Sequence, residues 1–221
     1  MRVIAHRTCP QHAPENSLRG IQVAAELGAD AVEVDVRLAR DGTPVLNHDV
    51  TGWRTSRWPL PIRWTSSARI RRIGRMPTFA AALDALGPDL GINVDVKADS
   101  ALGPAMATLQ QAGLAPDRVA LWVRSEDAVR QAVRVVPDMT VGLLADASSP
   151  AAVARYIERA ALAGAAEVSL HESVTTADAV AAGHGRGLRV HSWLVRRDSL
   201  DRVLAAGPDG IVTDWPEDVR R

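Results

Sequence analysis

Charged side chains alternate with valines in two short stretches of the sequence. In "AVEVDVRL" the charged residues are Glu33, Asp35 and Arg37, and in "INVDVKAD" they include Asp95 and Lys97. Alternate residues of a β-strand share one face, so the carboxylates of the first stretch would point in the same direction. Two carboxylates ~7 Å apart repel by roughly 2 kcal/mol at an effective dielectric constant of ~20, and a bound cation would relieve this repulsion. Because carboxylates offer only oxygen ligands, the two stretches predict a divalent-cation site that suits Mg²⁺ or Ca²⁺ better than zinc.

Two histidines are predicted to lie near these acids. His6 and Arg7 directly follow the first apolar stretch, and "DG" at Asp41 predicts a tight turn that returns the chain to His48. Two imidazoles beside an acidic cation site could carry protons to and from a phosphoryl oxygen near neutral pH. Taken singly, each histidine or acid is also compatible with a structural role in a salt-bridged interior. The prediction of chemistry therefore depends on these residues meeting in one place.

Eight β-rich stretches alternate with helical patterns and would carry these side chains. The predicted strands are 2–5, 31–38, 91–96, 119–123, 140–144, 167–170, 188–195 and 210–212, and the predicted helices are 17–27, 78–86, 101–112, 125–135, 150–163, 175–182 and 199–205. Repeated strand–helix units favour parallel strands, and eight of them close most simply into a (β/α)8 TIM barrel, an α/β fold. An open doubly wound sheet is the alternative, although no glycine-rich loop follows the first strand. In such barrels the chemistry lies at the C-terminal ends of the strands, where the candidate residues fall.

Composition limits the classes of partner. The 221 residues are 47% hydrophobic and 24% charged, which is typical of a globular protein, and we expect a single domain over 1–221. A formal net charge of zero gives no general attraction to nucleic acid. The single cysteine, Cys9, excludes an internal disulfide framework and a cysteine-rich zinc site. No apolar run approaches the ~18 residues of a membrane span, so we expect a cytoplasmic protein without a transmembrane segment, and the sequence leaves its oligomeric state open.

The segment 53–75 has an unusual composition. It contains seven arginines and three of the six tryptophans, and its apolar residues show little periodicity. We expect a solvated connecting loop in which arginines stack on tryptophans, on the same side of the barrel as the candidate residues. The alternative is a lip that receives an anionic or lipid-like head group of a substrate.

Five stretches, in this order and spacing, resemble the glycerophosphodiester phosphodiesterase family. They are "AHR" with "PENS" downstream, "GADAVEVDVRLARDGTPVLNHD", "MPTFAAALDAL", "GINVDVK" and "GPDGIVTDWP". The family has a (β/α)8 barrel fold, which agrees with the strand count. The sequence departs from the family's usual residues at Thr8, where glycine is usual, and at Asp95, where glutamate is usual.

The resemblance implies a role for each matching residue. Glu33, Asp35 and Asp95 would ligate a divalent cation, with Glu15 as a further ligand; His6 and His48 would be the acid and base, in either order; Arg7, Lys97 and Asn16 would bind the phosphate or substrate; and Trp193 would lie near the glycerol. The implied activity is metal-dependent hydrolysis of glycerophosphodiesters, small-molecule substrates, to glycerol phosphate and an alcohol. The alternatives are a lysophospholipase D-like or cyclic-phosphate-forming enzyme and a catalytically silent barrel that binds phosphodiesters.

Overall fold

The computed structural model describes residues 1–57, 59, 61–144 and 146–220. The strands are β1 Arg2–Ala5, β2 Ala31–Leu38, β3 Pro44–Leu46, β4 Gly91–Val96, β5 Val119–Val123, β6 Thr140–Leu144, β7 Glu167–His171, β8 Arg189–Val195 and β9 Gly210–Thr213. The α-helices are α1 Leu18–Glu26, α2 Trp53–Ser56, α3 Ser67–Arg69, α4 Phe79–Asp84, α5 Leu102–Ala112, α6 Glu126–Val135, α7 Pro150–Ala163, α8 Ala177–His184, α9 Leu200–Ala206 and α10 Pro216–Val219. No helix within these described ranges is long and apolar enough to cross a membrane.

Eight of the strands close into a parallel barrel. Their order is β1-β9-β8-β7-β6-β5-β4-β2, and β1 pairs in parallel with both β2 and β9, which closes the ring. The short strand β3 pairs antiparallel with the outer end of β2, as the tight turn at Asp41 predicted. The predicted (β/α)8 barrel is therefore confirmed, and the open doubly wound sheet is wrong.

The predicted strands and helices agree closely with those of the structure. Each of the eight predicted barrel strands ends within one residue of its observed boundary. Several helix starts were recognisable because a hydroxyl side chain precedes them: Ser17, Ser125 and Ser149 each accept a hydrogen bond from a backbone amide in the first turn of their helix. Such caps mark a helix start in the sequence itself.

The two faces of β2 explain the alternating pattern. Val32, Val34 and Val36 are fully buried in the main hydrophobic core beneath the helices. Glu33 and Asp35 point to the barrel interior, where only 4% and 1% of their surface is exposed. The strand therefore buries both faces, one apolar and one acidic.

The segment 53–75 is more regular than the connecting loop that its composition predicted, although an arginine does stack on a tryptophan in it, Arg63 on Trp64. Its described residues form α2, a 3-10 turn at Ile62–Trp64, α3 and a π-helical turn at Ile70–Gly74. Ile62 and Ile70 are buried in a small separate hydrophobic cluster whose other members are Ala39, Val45 and Met76. Of the three tryptophans, Trp58 lies outside the described residues. These turns are three to five residues long, too short for periodicity in the sequence to reveal them.

The chain after β1 is held in a strained turn. Arg7, Thr8 and Cys9 have φ angles of 42°, 61° and 65°, in the left-handed region that non-glycine residues rarely adopt. Thr8 is fully buried, and its Oγ1 accepts a hydrogen bond from the amide of Ser17 at 3.0 Å. A Cβ atom at Gly20 would lie 2.1 Å from the carbonyl oxygen of Thr8. Helix α1 therefore packs on this turn through a glycine, which leaves room for the threonine.

Replacing Gly20 with Ala is expected to destabilise the protein by roughly 1–3 kcal/mol, because the new methyl group would overlap the backbone of Thr8. Gly103 in α5 is the matched control, since a Cβ there meets nothing within 4 Å. Gly103→Ala should leave stability unchanged or raise it by up to about 1 kcal/mol. Urea unfolding of both variants measures the difference, and equal effects would contradict this packing.

Candidate active site

A cavity of about 240 Å³ opens at the C-terminal ends of the barrel strands. Its walls combine acids, bases, two histidines and a few apolar side chains: His6, Arg7, Glu33, Asp35, His48, Asp95, Lys97, Trp122, Arg124, Leu144, Asp146, Trp193 and Val212. The strand pairing brings these residues together, since they come from seven of the eight barrel strands or the turns that follow them. The residues predicted to act jointly therefore line one cavity.

Three carboxylates form the acidic part of this cavity. Asp35 and Asp95 face each other across the β2–β4 pair, and Glu33 lies one inward position earlier on β2. One oxygen from each of Glu33, Asp35 and Asp95 lies within 4.8 Å of the others. The spacing suits a single ion held by all three side chains.

Cationic side chains neutralise two of these acids. Lys97 Nζ lies 2.6 Å from Asp35 Oδ1 and 2.5 Å from Asp95 Oδ2, and Arg124 Nη2 lies 2.6 Å from Asp95 Oδ2. Burial alone would raise the pKa of Asp35, but Lys97 and then Arg7 lower it below its ordinary value. Asp35 is therefore ionised in the cavity.

Glu33 is compensated only in part, because Lys97 lowers its pKa by less than burial and Asp35 raise it. Burial, followed by repulsion from Asp35, raises its pKa well above the ordinary value, although the amide of Arg7 donates a hydrogen bond to it at 2.8 Å. Among the described residues, Asp95 Oδ1 is also buried without a hydrogen-bond partner. An all-oxygen donor set in which one buried carboxylate carries its charge at a cost fits a divalent cation. The carboxylates Glu33, Asp35 and Asp95 therefore form a possible metal site.

Each histidine of the cavity is held by a carboxylate. Asp214 Oδ1 lies 2.7 Å from His6 Nδ1, and Asp49 Oδ1 lies 2.7 Å from His48 Nδ1. Because a carboxylate only accepts hydrogen bonds, each Nδ1 carries the proton and donates it, which leaves Nε2 as the free ring nitrogen. The guanidinium of Arg37 also donates to the backbone carbonyl of His48, at 2.9 and 2.7 Å, and fixes the position of that residue.

Burial lowers the pKa of His48, and the positive charges of Lys97 and Arg7 act in the same direction. The hydrogen bond that His48 donates to Asp49 and the charge of Asp35 oppose this shift without reversing it. His48 is thus more completely neutral at pH 7 than an ordinary histidine. A neutral imidazole with a free Nε2 can accept a proton.

Two residues implied by the resemblance have other partners in this structure. The Glu15 carboxylate pairs with Arg7 at 3.4 Å and with Arg54 at 3.2 Å, and it lies outside the group of three clustered acids. Asn16 is 2% exposed, donates to Asp35 Oδ2 at 2.7 Å and accepts from the Asp35 amide at 2.9 Å. Asn16 therefore braces Asp35 and does not line the cavity. Arg54 connects the segment 53–75 to this rim, because it also contacts Asp49 at 3.1 Å.

Trp193 closes one side of the cavity. Its ring packs edge-on against His171, with ring centroids 5.1 Å apart. The indole Nε1 is buried and has no hydrogen-bond partner among the described residues. This donor is therefore available to a polar group bound in the cavity.

Three residues that contact the candidate side chains were given no part in the chemistry by the sequence analysis, which favoured a capping or rim role for Asp214. Asp214 and Asp49 orient the two histidines, and Arg124 compensates Asp95. All three directly follow a strand end or a candidate histidine, so their positions at the C-terminal ends of strands were the available signal. Their pairing depended on contacts that sequence spacing does not reveal.

Comparisons with known proteins agree with this geometry. The model of the glycerophosphoryl diester phosphodiesterase family matches residues 6–218. A glycerophosphodiester phosphodiesterase of Caldanaerobacter subterraneus is 27% identical over 97% of this chain and 94% of its own. A probable glycerophosphodiester phosphodiesterase 2 of Mycobacterium tuberculosis is 30% identical over 91% of this chain and 82% of its own.

Solved structures share the fold. A phosphodiesterase from Oleispira antarctica, in complex with the product sn-glycerol-3-phosphate, superposes with a TM-score of 0.87 at 24% identity. That similarity covers 100% of this chain and 95% of the other. With the family model matched over nearly the whole length and the acidic cluster in the barrel mouth, this chain belongs to the glycerophosphoryl diester phosphodiesterase family.

Proposed function

We propose that this chain hydrolyses glycerophosphodiesters to glycerol phosphate and an alcohol, with His6 and His48 as the acid and base. A cation, Mg²⁺ or Ca²⁺, would be held by Glu33, Asp35 and Asp95. The observation that carries the proposal is the convergence of this acidic cluster, two carboxylate-held histidines and three cationic side chains on one cavity. Membership of the family supports the same substrate class.

Positive side chains would hold the phosphodiester. Arg7, Lys97 and Arg124 line the cavity, and an arginine fork can grip two phosphate oxygens where lysine acts as a point charge. When bound, the divalent cation would supply stabilisation of the negative charge that grows on the phosphate and the leaving oxygen. Trp193 Nε1 would donate to a glycerol hydroxyl. The bound sn-glycerol-3-phosphate of the Oleispira relative supports a glycerol phosphate in this cavity.

The two histidines would divide the proton transfers. His48, whose pKa is lowered by burial, would accept a proton at Nε2 from the nucleophile. His6 would act in its doubly protonated form, keeping the Nδ1 proton on its bond to Asp214 and delivering the Nε2 proton to the departing alkoxide. The nucleophile is water, or a glycerol hydroxyl of the substrate that gives a cyclic phosphate before water opens it.

A turnover assay on a panel of glycerophosphodiesters tests the proposed function. We expect hydrolysis in the presence of Mg²⁺ or Ca²⁺, loss of activity with a chelator, and recovery when the cation is added back. Phosphorus NMR of the product separates full hydrolysis from release of a cyclic phosphate. Binding without turnover on every substrate and with either cation would instead identify a silent phosphodiester-binding barrel.

A further inference from the structure

A second, larger concavity lies beside the catalytic cavity. This groove, of about 780 Å³, is lined mainly by apolar surface from Leu38, Val50, Ile62 and Trp64, with Arg37 and Ala98 at its inner edge. Ile62 is buried and forms the floor, whereas Val50 and Trp64 are 68% and 63% exposed. Large apolar side chains exposed together around a concavity usually mark a binding surface.

Residues at the inner edge of the groove lie next to residues of the catalytic cavity along β2 and β4. Arg37 follows Asp35 by two residues on the inward face of β2, and its guanidinium is bonded to the backbone of His48. Ala98 directly follows Lys97 at the end of β4. The groove thus begins one or two residues beyond the cavity wall, roughly 3–7 Å along the strands. A substrate too long for the cavity would therefore reach the inner edge of the groove.

The size of the cavity leaves part of a substrate outside it. A volume of about 240 Å³ is below the ~300–1,000 Å³ of typical small-ligand sites. It suits a phosphate with a three-carbon polyol. Trp193, the proposed glycerol contact, lies on β8, which is across the barrel from β4 in the strand order. The groove adjoins β2 and β4, so the alcohol on the far side of the phosphate is the group that would reach it.

The chemistry of the groove favours an apolar alcohol on an anionic ester. The Arg63 guanidinium stacks on the Trp64 ring, 4.6 Å from its centroid, and holds the indole in the groove wall. Arg40 and Arg63 add alkyl stems to the apolar surface and positive charge to the approach of a phosphodiester. Resting on the proposed function, we infer that this groove binds the alcohol group of the substrate, and that this alcohol carries an alkyl or acyl chain.

A homologous series of sn-glycero-3-phosphoalkyl esters, from methyl to hexyl, tests this inference with the full chain and its divalent cation. These short chains avoid micelles, and each buried methylene adds at most about fourfold to binding. We expect kcat/KM to rise by about 10-fold or more from the methyl to the hexyl ester. A wild-type rate that is independent of chain length would overturn the inference while leaving the proposed function intact.

Two tryptophans of the same segment provide matched variants. Trp64→Ala should flatten the dependence on chain length and leave turnover of the methyl ester unchanged. Trp53 is similarly exposed, at 58%, but does not line the groove, so Trp53→Ala should keep the wild-type dependence. Equal behaviour of the two variants would overturn the assignment of the groove. If no ester of the series is hydrolysed with either cation, the proposed function fails and the inference fails with it.

Discussion

His6→Ala and His48→Ala are each expected to lower kcat by about 10²–10⁴-fold, because each variant removes one of the two proton transfers at the phosphate. Steady-state turnover of a glycerophosphodiester with saturating cation measures the loss. His12 provides a matched control, since its ring is also paired with a carboxylate, 3.1 Å from Glu217, and is as exposed as that of His48. His12 does not line the cavity. His12→Ala should therefore retain wild-type turnover. A wild-type rate in His6→Ala or in His48→Ala would rule out a catalytic role for the histidine replaced.

A variant of Asp49, the carboxylate partner of His48, tests whether His48 is the base or the acid. The hydrogen bond that His48 donates to Asp49 raises the pKa of His48 against the larger effect of burial, so Asp49→Asn should lower that pKa further. If His48 is the base, the midpoint of the acid limb of the kcat/KM profile lies below pH 6.5, the approximate pKa of an ordinary histidine. In Asp49→Asn this midpoint moves to still lower pH. A downward shift of the alkaline limb would instead assign His48 as the acid. Asp214→Asn should reduce kcat by up to about 10²-fold through the orientation of His6.

Glu33→Gln is expected to have opposite effects on activity and on the stability of the metal-free protein. Activity should fall by about 10²-fold or more, since the cation loses a charged ligand and with it several kcal/mol of charge stabilisation. Without metal, the same change removes the repulsion between buried Glu33 and Asp35, so the melting temperature should rise by roughly 2–4 °C for each kcal/mol relieved. Wild-type protein should gain roughly 5–10 °C from saturating cation, and the variant much less.

The pH dependence of stability tests whether the buried charge of Glu33 is what destabilises the metal-free protein. Because the pKa of Glu33 is raised in the folded state, the metal-free protein should gain stability as pH falls through that raised pKa towards the ordinary glutamate value, and Glu33→Gln should lose this gain. Glu167 is the matched contrast. It is equally buried in the barrel, but hydrogen bonds and charges from His191, Trp122 and Arg189 outweigh burial and lower its pKa to about 2. Glu167→Gln should therefore destabilise the protein at neutral pH, and a stabilised Glu167→Gln would contradict this electrostatic account.

The sequence revealed the local patterns of this fold better than its long-range contacts. Alternation in β2 predicted which side chains of that strand face inward, and hydroxyl caps marked where helices begin. Alternation does not give register, so the direct opposition of Asp35 and Asp95 across β2 and β4 became visible only with the strand pairing. The same limit explains the bracing role of Asn16, which depends on the path of the turn after β1.

The contact between His6 and Asp214 lies still further from any sequence pattern. It joins residues 208 positions apart and exists because β1 pairs with β9 when the barrel closes. The helical turns of the segment 53–75 were hard to predict for a different reason, since they are too short to show periodicity. Its buried residues also pack against Ala39, Val45 and Met76, which lie outside the segment. Local propensity alone therefore indicated a loop where tertiary packing builds structure.

The pairing of β1 with β9 has a consequence for biosynthesis. The histidine that would protonate the leaving group is translated 208 residues before the aspartate that holds its ring. A nascent chain therefore carries most of its reactive groups while still on the ribosome, yet lacks the partner that orients one of them. The proposed acid would therefore reach its working orientation only after β9 has been synthesised and has paired with β1.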